Sequence, residues 1–194
     1  MGNLERNYWN KRYLRGENSG IGSVGNYREW RWHIIDKHVE PLDDIVDVGC
    51  GDLSFWEGRS CKQYTGIDVS EVIVQRNRLR RPHWAFICGD ASEYFEGLRA
   101  DVVLCLAVLF HIKNECDYVE IIKNLCRYSR KWIIINTWMK QPQSFDRSYQ
   151  FYRRFEHYFE VFFRHGFAFH SAAPCFDGLN AIYIFKSVEA DSND

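Results

Sequence analysis

The sequence predicts a doubly wound α/β fold: a seven-stranded sheet, mostly parallel with an antiparallel C-terminal strand, and helices on both faces. Three observations predict it. Short β-rich runs alternate with helical segments from residue 45 onward, the first two runs enclose a glycine turn and end in acids, and after the fifth run the pattern changes to a helix and two closely spaced strands. At 194 residues, 46% hydrophobic and 16% aromatic, the chain suits a single domain with a substantial core. Within it, residues 1–40 read as an N-terminal loop and helix, 41–187 as the core and 188–194 as a frayed acidic tail.

The N-terminal segment YWNKRYLRGENSGIGSVGNYREW sets Gly16, Gly20, Gly22 and Gly25, with Ser19 and Ser23, between an aromatic-basic stretch and a helix over 26–39. Such a loop lets backbone amides approach a ligand, or hinges a lid. On composition alone, a flexible connector is the plainer reading. Strands follow at 45–48, 63–67, 84–88, 102–106 and 132–136, with helices near Phe55, over 70–81, around 92–97 and over 115–128. Ser70 and Glu71 open the 70–81 helix and Pro82 closes it. A long aromatic helix over 148–164 stops at Gly166, and strands at 167–172 and 181–186, joined by PCFDGLN, form an antiparallel hairpin at the sheet edge.

The glycine turn carries the chemistry. Asp47-Val48-Gly49-Cys50-Gly51 ends the first strand, and Asp68 ends the second 21 positions after Asp47. In a doubly wound sheet this spacing holds a nucleoside over the carboxyl ends of the strands, with the later acid on ribose hydroxyls. A dinucleotide fingerprint needs a third glycine, but Leu53 and Ser54 follow Gly51. A nucleoside without a diphosphate fits better.

These residues resemble motif I of class I S-adenosylmethionine-dependent methyltransferases. The resemblance implies that Asp47 binds the methionine amino group, that the turn at Gly49, Cys50 and Gly51 passes under the cofactor, that Asp68 grips the ribose and that Asp90 in FICGDA meets the adenine. Val69, Ala91 and Leu106 complete the expected cofactor set. Leu53 stands where many members carry a third glycine. The order of parts from about Tyr8 to Lys186 is similar to a group of small methyltransferases associated with glycan and secondary-metabolite pathways. By that comparison Ser19, Gly22 and Ser23 of SGIGSVG belong to a loop closing over cofactor or acceptor.

An enzyme of this kind aligns an acceptor with an already activated methyl group, and a hydroxyl acceptor also needs a base. His111, after the fourth strand in LCLAVLFHI, is the candidate catalytic residue; the alternative is that it packs beside the cofactor or satisfies a loop carbonyl. Amino-methyltransferases of nucleobases and protein glutamine carry an Asn/Asp-Pro-Pro-Tyr loop there, and this chain carries Leu106-Ala107-Val108-Leu109 instead. In QFYRRFEHYF, Tyr152, Arg153 and Arg154 are candidates for holding a sugar ring and an anionic group. Such a helix can equally pack its aromatics and solvate its charges. Arg76, Arg78, Arg80 and Arg81 read as a solvated helix face remote from the site.

The remaining features exclude alternatives. The seven cysteines show neither a CxxC pair nor zinc-site spacing, so no metal site is expected and the thiols read as reduced. A net charge of -1 gives no footprint for nonspecific nucleic-acid binding, so a nucleic-acid partner is not expected. The apolar runs are too short to span a membrane, and MGNLERNYWNKRY lacks a signal peptide's apolar core, which makes the cytoplasm the expected location. Three functions stay open: methyl transfer to a small molecule or glycan at oxygen, methyl transfer to a protein or RNA, and a non-catalytic cofactor-binding scaffold.

Overall fold

The computed structural model describes residues 2–39, 44–146 and 148–189, with side chains from residue 5 onward. The expected boundary at residues 40 and 41, and residues 190–194 of the expected tail, lie outside the described residues. The strands are β1 (Asp44–Val48), β2 (Gln63–Asp68), β3 (Ala85–Cys88), β4 (Ala100–Leu106), β5 (Ser129–Trp138), β6 (Phe167–Pro174) and β7 (Asn180–Ser187). They form a seven-stranded sheet of order β3-β2-β1-β4-β5-β7-β6. Pairing is parallel from β1 to β3 and between β4 and β5, while β7 runs antiparallel to both β5 and β6. The expected sheet, with its antiparallel C-terminal strand, is the observed one. The chain divides into two compact units, residues 1–91 and 92–194.

The N-terminal unit holds β1 to β3 with helices α1 (Gly2–Leu14), α2 (Gly25–His38) and α3 (Glu71–Arg80). β1 is buried on both faces, with the β-branched Ile45, Val46 and Val48 each 1% exposed and Asp47 buried among them. α3 starts where the Ser70 hydroxyl accepts from the Ile73 amide at 3.4 Å. Arg76, Arg78 and Arg80 are exposed, as the solvated-face reading expects, and Arg81 is half-buried, but all four also bond backbone carbonyls. Arg76 donates to the Tyr13 carbonyl, Arg78 to Phe86, Arg80 to Asp52, and Arg81 to Trp56 and Arg59. Each guanidinium thus ties α3 or its cap to the backbone of a neighbouring segment. α1 was read only as an aromatic-basic stretch. Near Phe55 the helix is a single 3-10 turn, Ser54–Trp56.

The C-terminal unit holds β4 to β7 with α4 (Glu115–Tyr128) and α5 (Phe159–Arg164). Asn114 caps α4 by accepting from the Cys116 amide at 2.7 Å, and Tyr118, Ile121, Ile122 and Leu125 bury one helical stripe. Two expected helices are corrected. Residues 92–97 form turns, because Asn124 donates to the carbonyls of Ser92 and Glu93 while Tyr128 donates to Glu93 and accepts from the Phe95 amide. The 148–164 segment is helical only from Phe155: a 3-10 turn over Phe155–Tyr158 precedes α5. Upstream the backbone serves tertiary contacts instead, as where the Phe151 amide donates to the Phe110 carbonyl at 2.7 Å.

Candidate functional site

The glycine turn is stitched to the neighbouring strand. The amides of Gly49 and Cys50 both donate to the Ile67 carbonyl, at 2.8 and 3.0 Å. Gly49 and Gly51 have φ of 76° and 57°, a left-handed conformation that glycine adopts without penalty. Leu53 shares it at φ 61°, although its side chain is 2% exposed. The loop therefore keeps the shape that a third glycine would give, and burial of the leucine offsets a strained backbone.

Asp68 and Asp47 are both buried carboxylates, held in different ways. Asp68 takes one backbone donor on each oxygen: the Gly51 amide on Oδ2 and the Ser70 amide on Oδ1, each at 2.9 Å. A carboxylate oxygen accepts two hydrogen bonds, so these contacts leave capacity on each oxygen for a hydroxyl. Asp47 Oδ2 accepts from Trp56 Nε1 at 2.8 Å and from the Tyr64 hydroxyl at 2.9 Å, above an aromatic floor where Trp56 and Tyr64 also meet Trp84. Burial pushes both carboxyls up to about 6, against the lowering effect of those donors and, for Asp47, of the Arg31 charge. Burial and the two acids also push the Cys50 thiol well above its ordinary range, so this cysteine is a small buried thiol and not a nucleophile.

Several residues that shape this turn escaped sequence reasoning. Asn77 of α3, 1% exposed, donates to the Gly51 carbonyl at 2.7 Å. Asn10 of α1 accepts from the Ser70 hydroxyl at 2.6 Å, beside Asp68. Asp52 is the partner of Ser19: the Ser19 hydroxyl donates to Asp52 Oδ1 at 2.8 Å, and the Asp52 amide donates back to that hydroxyl at 2.8 Å. Asn10 and Asn77 carried no sequence signal. Asp52 lay inside the quoted motif, but its partner is 33 residues away.

The N-terminal loop is a fixed part of its unit. Gly20 donates to the Asn18 side chain at 3.0 Å, and Ile21–Ser23 form a 3-10 turn. Gly22 lies on the buried Arg31: a Cβ there would come within 2.4 Å of the guanidinium. The Ser23 amide donates to the Gly20 carbonyl at 3.1 Å. Ser19 thus reaches the glycine turn, Gly22 reaches Arg31, and Ser23 closes the turn between them. At the end of β2 and β3, Gly89 donates to the Asp68 carbonyl at 3.0 Å, which brings the half-buried Asp90 and Ala91 onto the same strand-end turn as Val69.

In the C-terminal unit, Leu106 ends β4 and the next residue, Ala107, has φ 62°, its amide donating to the Asn136 carbonyl at 2.9 Å. A non-glycine residue held in the left-handed region marks an over-determined turn. His111 follows on a 3-10 turn, Leu109–His111. Its Nδ1 lies 2.9 Å from the Tyr149 carbonyl, and the rings of His111 and Tyr149 stack at 5.5 Å. A carbonyl only accepts, so Nδ1 is the donor in this bond.

Arg153 is committed to the protein's own groups, donating to Glu115 Oε2 at 2.8 Å and to the carbonyls of Ile112 and Lys113 at 2.5 and 2.6 Å. Tyr152 is half-buried, and Arg154 points outward with 69% side-chain exposure, 3.8 Å from Glu156. Among the described residues there is no cluster of His, Cys, Asp and Glu that could hold a metal, and no helix is long and apolar enough to cross a membrane.

Residues 46–131 match a family described as a methyltransferase domain, a span that contains the glycine turn, Asp68, Asp90 and His111. The chain is 32% identical over 93 residues to a Xenopus laevis eEF1A lysine and N-terminal methyltransferase, covering 44% of this chain and 13% of that protein. It is 25% identical over 109 residues to a tRNA U34 carboxymethyltransferase of Pseudoalteromonas atlantica, covering 51% of this chain and 34% of that protein. The chain therefore spans about an eighth and a third of the length of these two relatives. The crystal structure of magnesium protoporphyrin IX methyltransferase from Synechocystis, with bound SAH, superposes with a TM-score of 0.70 at 17% identity, covering 96% of this chain and 100% of that one. At that identity the likeness shows the fold.

Proposed function

We propose that this chain is an S-adenosylmethionine-dependent methyltransferase that acts on a small molecule or glycan, at oxygen. The observation that carries the cofactor assignment is the pair of backbone-braced oxygens on buried Asp68, each with remaining capacity for one of two vicinal ribose hydroxyls. In this reading Asp47 takes the amino group of the methionine moiety, Gly49, Cys50 and Gly51 form the turn beneath it, and Val69, Asp90 and Ala91 serve the adenine. Leu106, which ends β4, is a further cofactor candidate on the resemblance alone. When bound, the cofactor supplies a methyl group on a good sulfonium leaving group, so an acceptor oxygen gains the methyl, the carbon–sulfur bond breaks, and the acceptor proton must be removed.

In this reading His111 receives that proton. The Tyr149 carbonyl supports this role because it fixes the tautomer and ring orientation a general base needs. Ser19, Gly22 and Ser23 belong to an N-terminal element that shapes the acceptor side, in keeping with the SGIGSVG subgroup of the resemblance, and Tyr152 offers a half-buried ring to the acceptor. Arg154, with its exposed head, serves an anionic group better than the committed Arg153.

A second reading, methyl transfer to protein or RNA, is favoured by the two relatives named above. This chain spans 13% and 34% of their lengths, so their acceptors come to it as a proposal only. The test is isotope-labelled methyl transfer from the cofactor by the full chain, offered in parallel to hydroxylated small molecules and sugars, total protein and total tRNA. Label in the small-molecule fraction supports the proposal. Label confined to protein or tRNA transfers the chain to the second reading, and binding without any transfer makes it a scaffold.

A further inference from the structure

The Ser19 hydroxyl has all three of its bonding positions engaged. It donates its one proton to Asp52 Oδ1 at 2.8 Å and accepts from the Asp52 amide at 2.8 Å. Tyr13 Oη lies 3.1 Å away, and with the serine proton already committed, the tyrosine must be the donor in that bond. The Ser19 amide adds a bond to Asp52 Oδ2 at 3.2 Å. Tyr13 comes from α1 and is 2% exposed, and the clasp ties helix, loop and glycine turn at one half-buried serine oxygen.

That oxygen also fills the space a side chain at position 51 would need. A Cβ on Gly51 would lie 2.2 Å from Ser19 Oγ and 3.0 Å from Ser19 Cβ. The Gly51 peptide is at the same time held by its amide to Asp68 and by its carbonyl to Asn77. We propose that Ser19 is a positioning residue: its saturated hydroxyl packs into the space that glycine leaves at position 51 and so couples the N-terminal loop to the amide that holds Asp68. Glycine is then required at 51 by the loop, whatever the approach of a ligand. The consequence for binding rests on the proposed cofactor reading, while the clasp is a property of the protein alone.

The test uses the full chain in six forms: wild type, Ser19→Ala, Ser19→Thr, Ser19→Gly, and Gly51→Ala with and without Ser19→Gly. Calorimetry with S-adenosylhomocysteine reads the cofactor site, and limited proteolysis of residues 15–25 reads the loop. Ser19→Ala should weaken binding roughly tenfold and speed nicking by a comparable factor, because a bond network to a charged partner is lost. Ser19→Thr keeps the hydroxyl and should keep both. Gly51→Ala should cost much less in the Ser19→Gly background than alone, leaving the backbone strain at φ 57° and a tight 3.3 Å approach to the Tyr13 hydroxyl. An equal fold-loss in both backgrounds, or a Ser19→Ala protein with unchanged binding and nicking, overturns the proposal. If Gly51→Ala does not fold, the comparison of alanine and threonine at position 19 decides. Failure of wild type to bind overturns the cofactor reading, and nicking of the same variants then decides the clasp.

Discussion

The Gly51 amide donates to Asp68 Oδ2 at 2.9 Å, so the turn that ends β1 and the acid that ends β2 form one hydrogen-bonded unit. Two strands that meet in parallel register, Asp47 opposite Gly66 and Val48 opposite Ile67, bring the turn and the acid to the same edge. Changes that disturb the Gly51 peptide are therefore felt at Asp68.

Asn77 is the first such change. Asn77→Ala removes the buried donor to the Gly51 carbonyl and leaves that oxygen without it, which should cost about 1–3 kcal/mol of stability in denaturant unfolding. Binding of S-adenosylhomocysteine should weaken in the same variant. A midpoint and slope identical to wild type would show that water replaces the asparagine without loss.

The pH dependence has two opposite signs. Asp47 and Asp68 have folded values raised to about 6, above the ordinary carboxyl value of 3.8. Between those values the native state binds protons that the unfolded chain does not, so their contribution to stability is present at the low end and lost as pH rises through about 6. Asp101, Glu115 and Asp177 are lowered, so their contributions fade only below the usual carboxylate range. Hydroxyl binding by Asp68 needs the ionised form. Scanning fluorimetry from pH 7.5 to 5 should show these acids favouring the free protein while the melting shift given by S-adenosylhomocysteine shrinks. A ligand shift that grows below pH 6 contradicts the assignment.

Arg153 should prove a structural staple. Arg153→Lys cannot reproduce the fork that spans Ile112, Lys113 and Glu115, and it should lose roughly 1–3 kcal/mol of stability with little change in acceptor KM. A raised KM with an unchanged unfolding midpoint would return Arg153 to the acceptor site.

His111→Ala should lower turnover by roughly two to four orders of magnitude with cofactor affinity little changed, because proton removal is felt in the transition state. Near-normal turnover with poor cofactor binding would place His111 in the cofactor shell.

What the sequence made legible was local. The glycine turn, its two acids and the α3 cap lie within short stretches whose spacing mirrors the geometry, and the β-branched runs of β1 and β5 mark buried strands directly. Tertiary partners were not legible. The exposure of the α3 arginines was legible, but not their carbonyl partners, which lie as far away as Tyr13, 63 residues from Arg76. Ser19 stood out in a glycine-rich loop, yet its function depends on Asp52. The long aromatic segment after β5 had helical spacing, but Phe110 and Glu115 draw its backbone and side chains into other bonds. Leu53 shows the converse: a residue with the wrong propensity keeps the expected turn because its side chain is buried.

The central claim is that Asp68, braced by Gly51 and Ser70, holds the ribose of a sulfonium nucleoside. Calorimetry of wild type and Asp68→Ala with S-adenosylmethionine, S-adenosylhomocysteine and a nicotinamide dinucleotide tests it most directly. Wild type should bind the first two and not the third, and the variant should lose at least roughly tenfold in affinity for both, as expected when a charged acceptor is removed. An Asp68→Ala protein that binds S-adenosylhomocysteine as tightly as wild type, or a wild type that prefers the dinucleotide, would contradict the account.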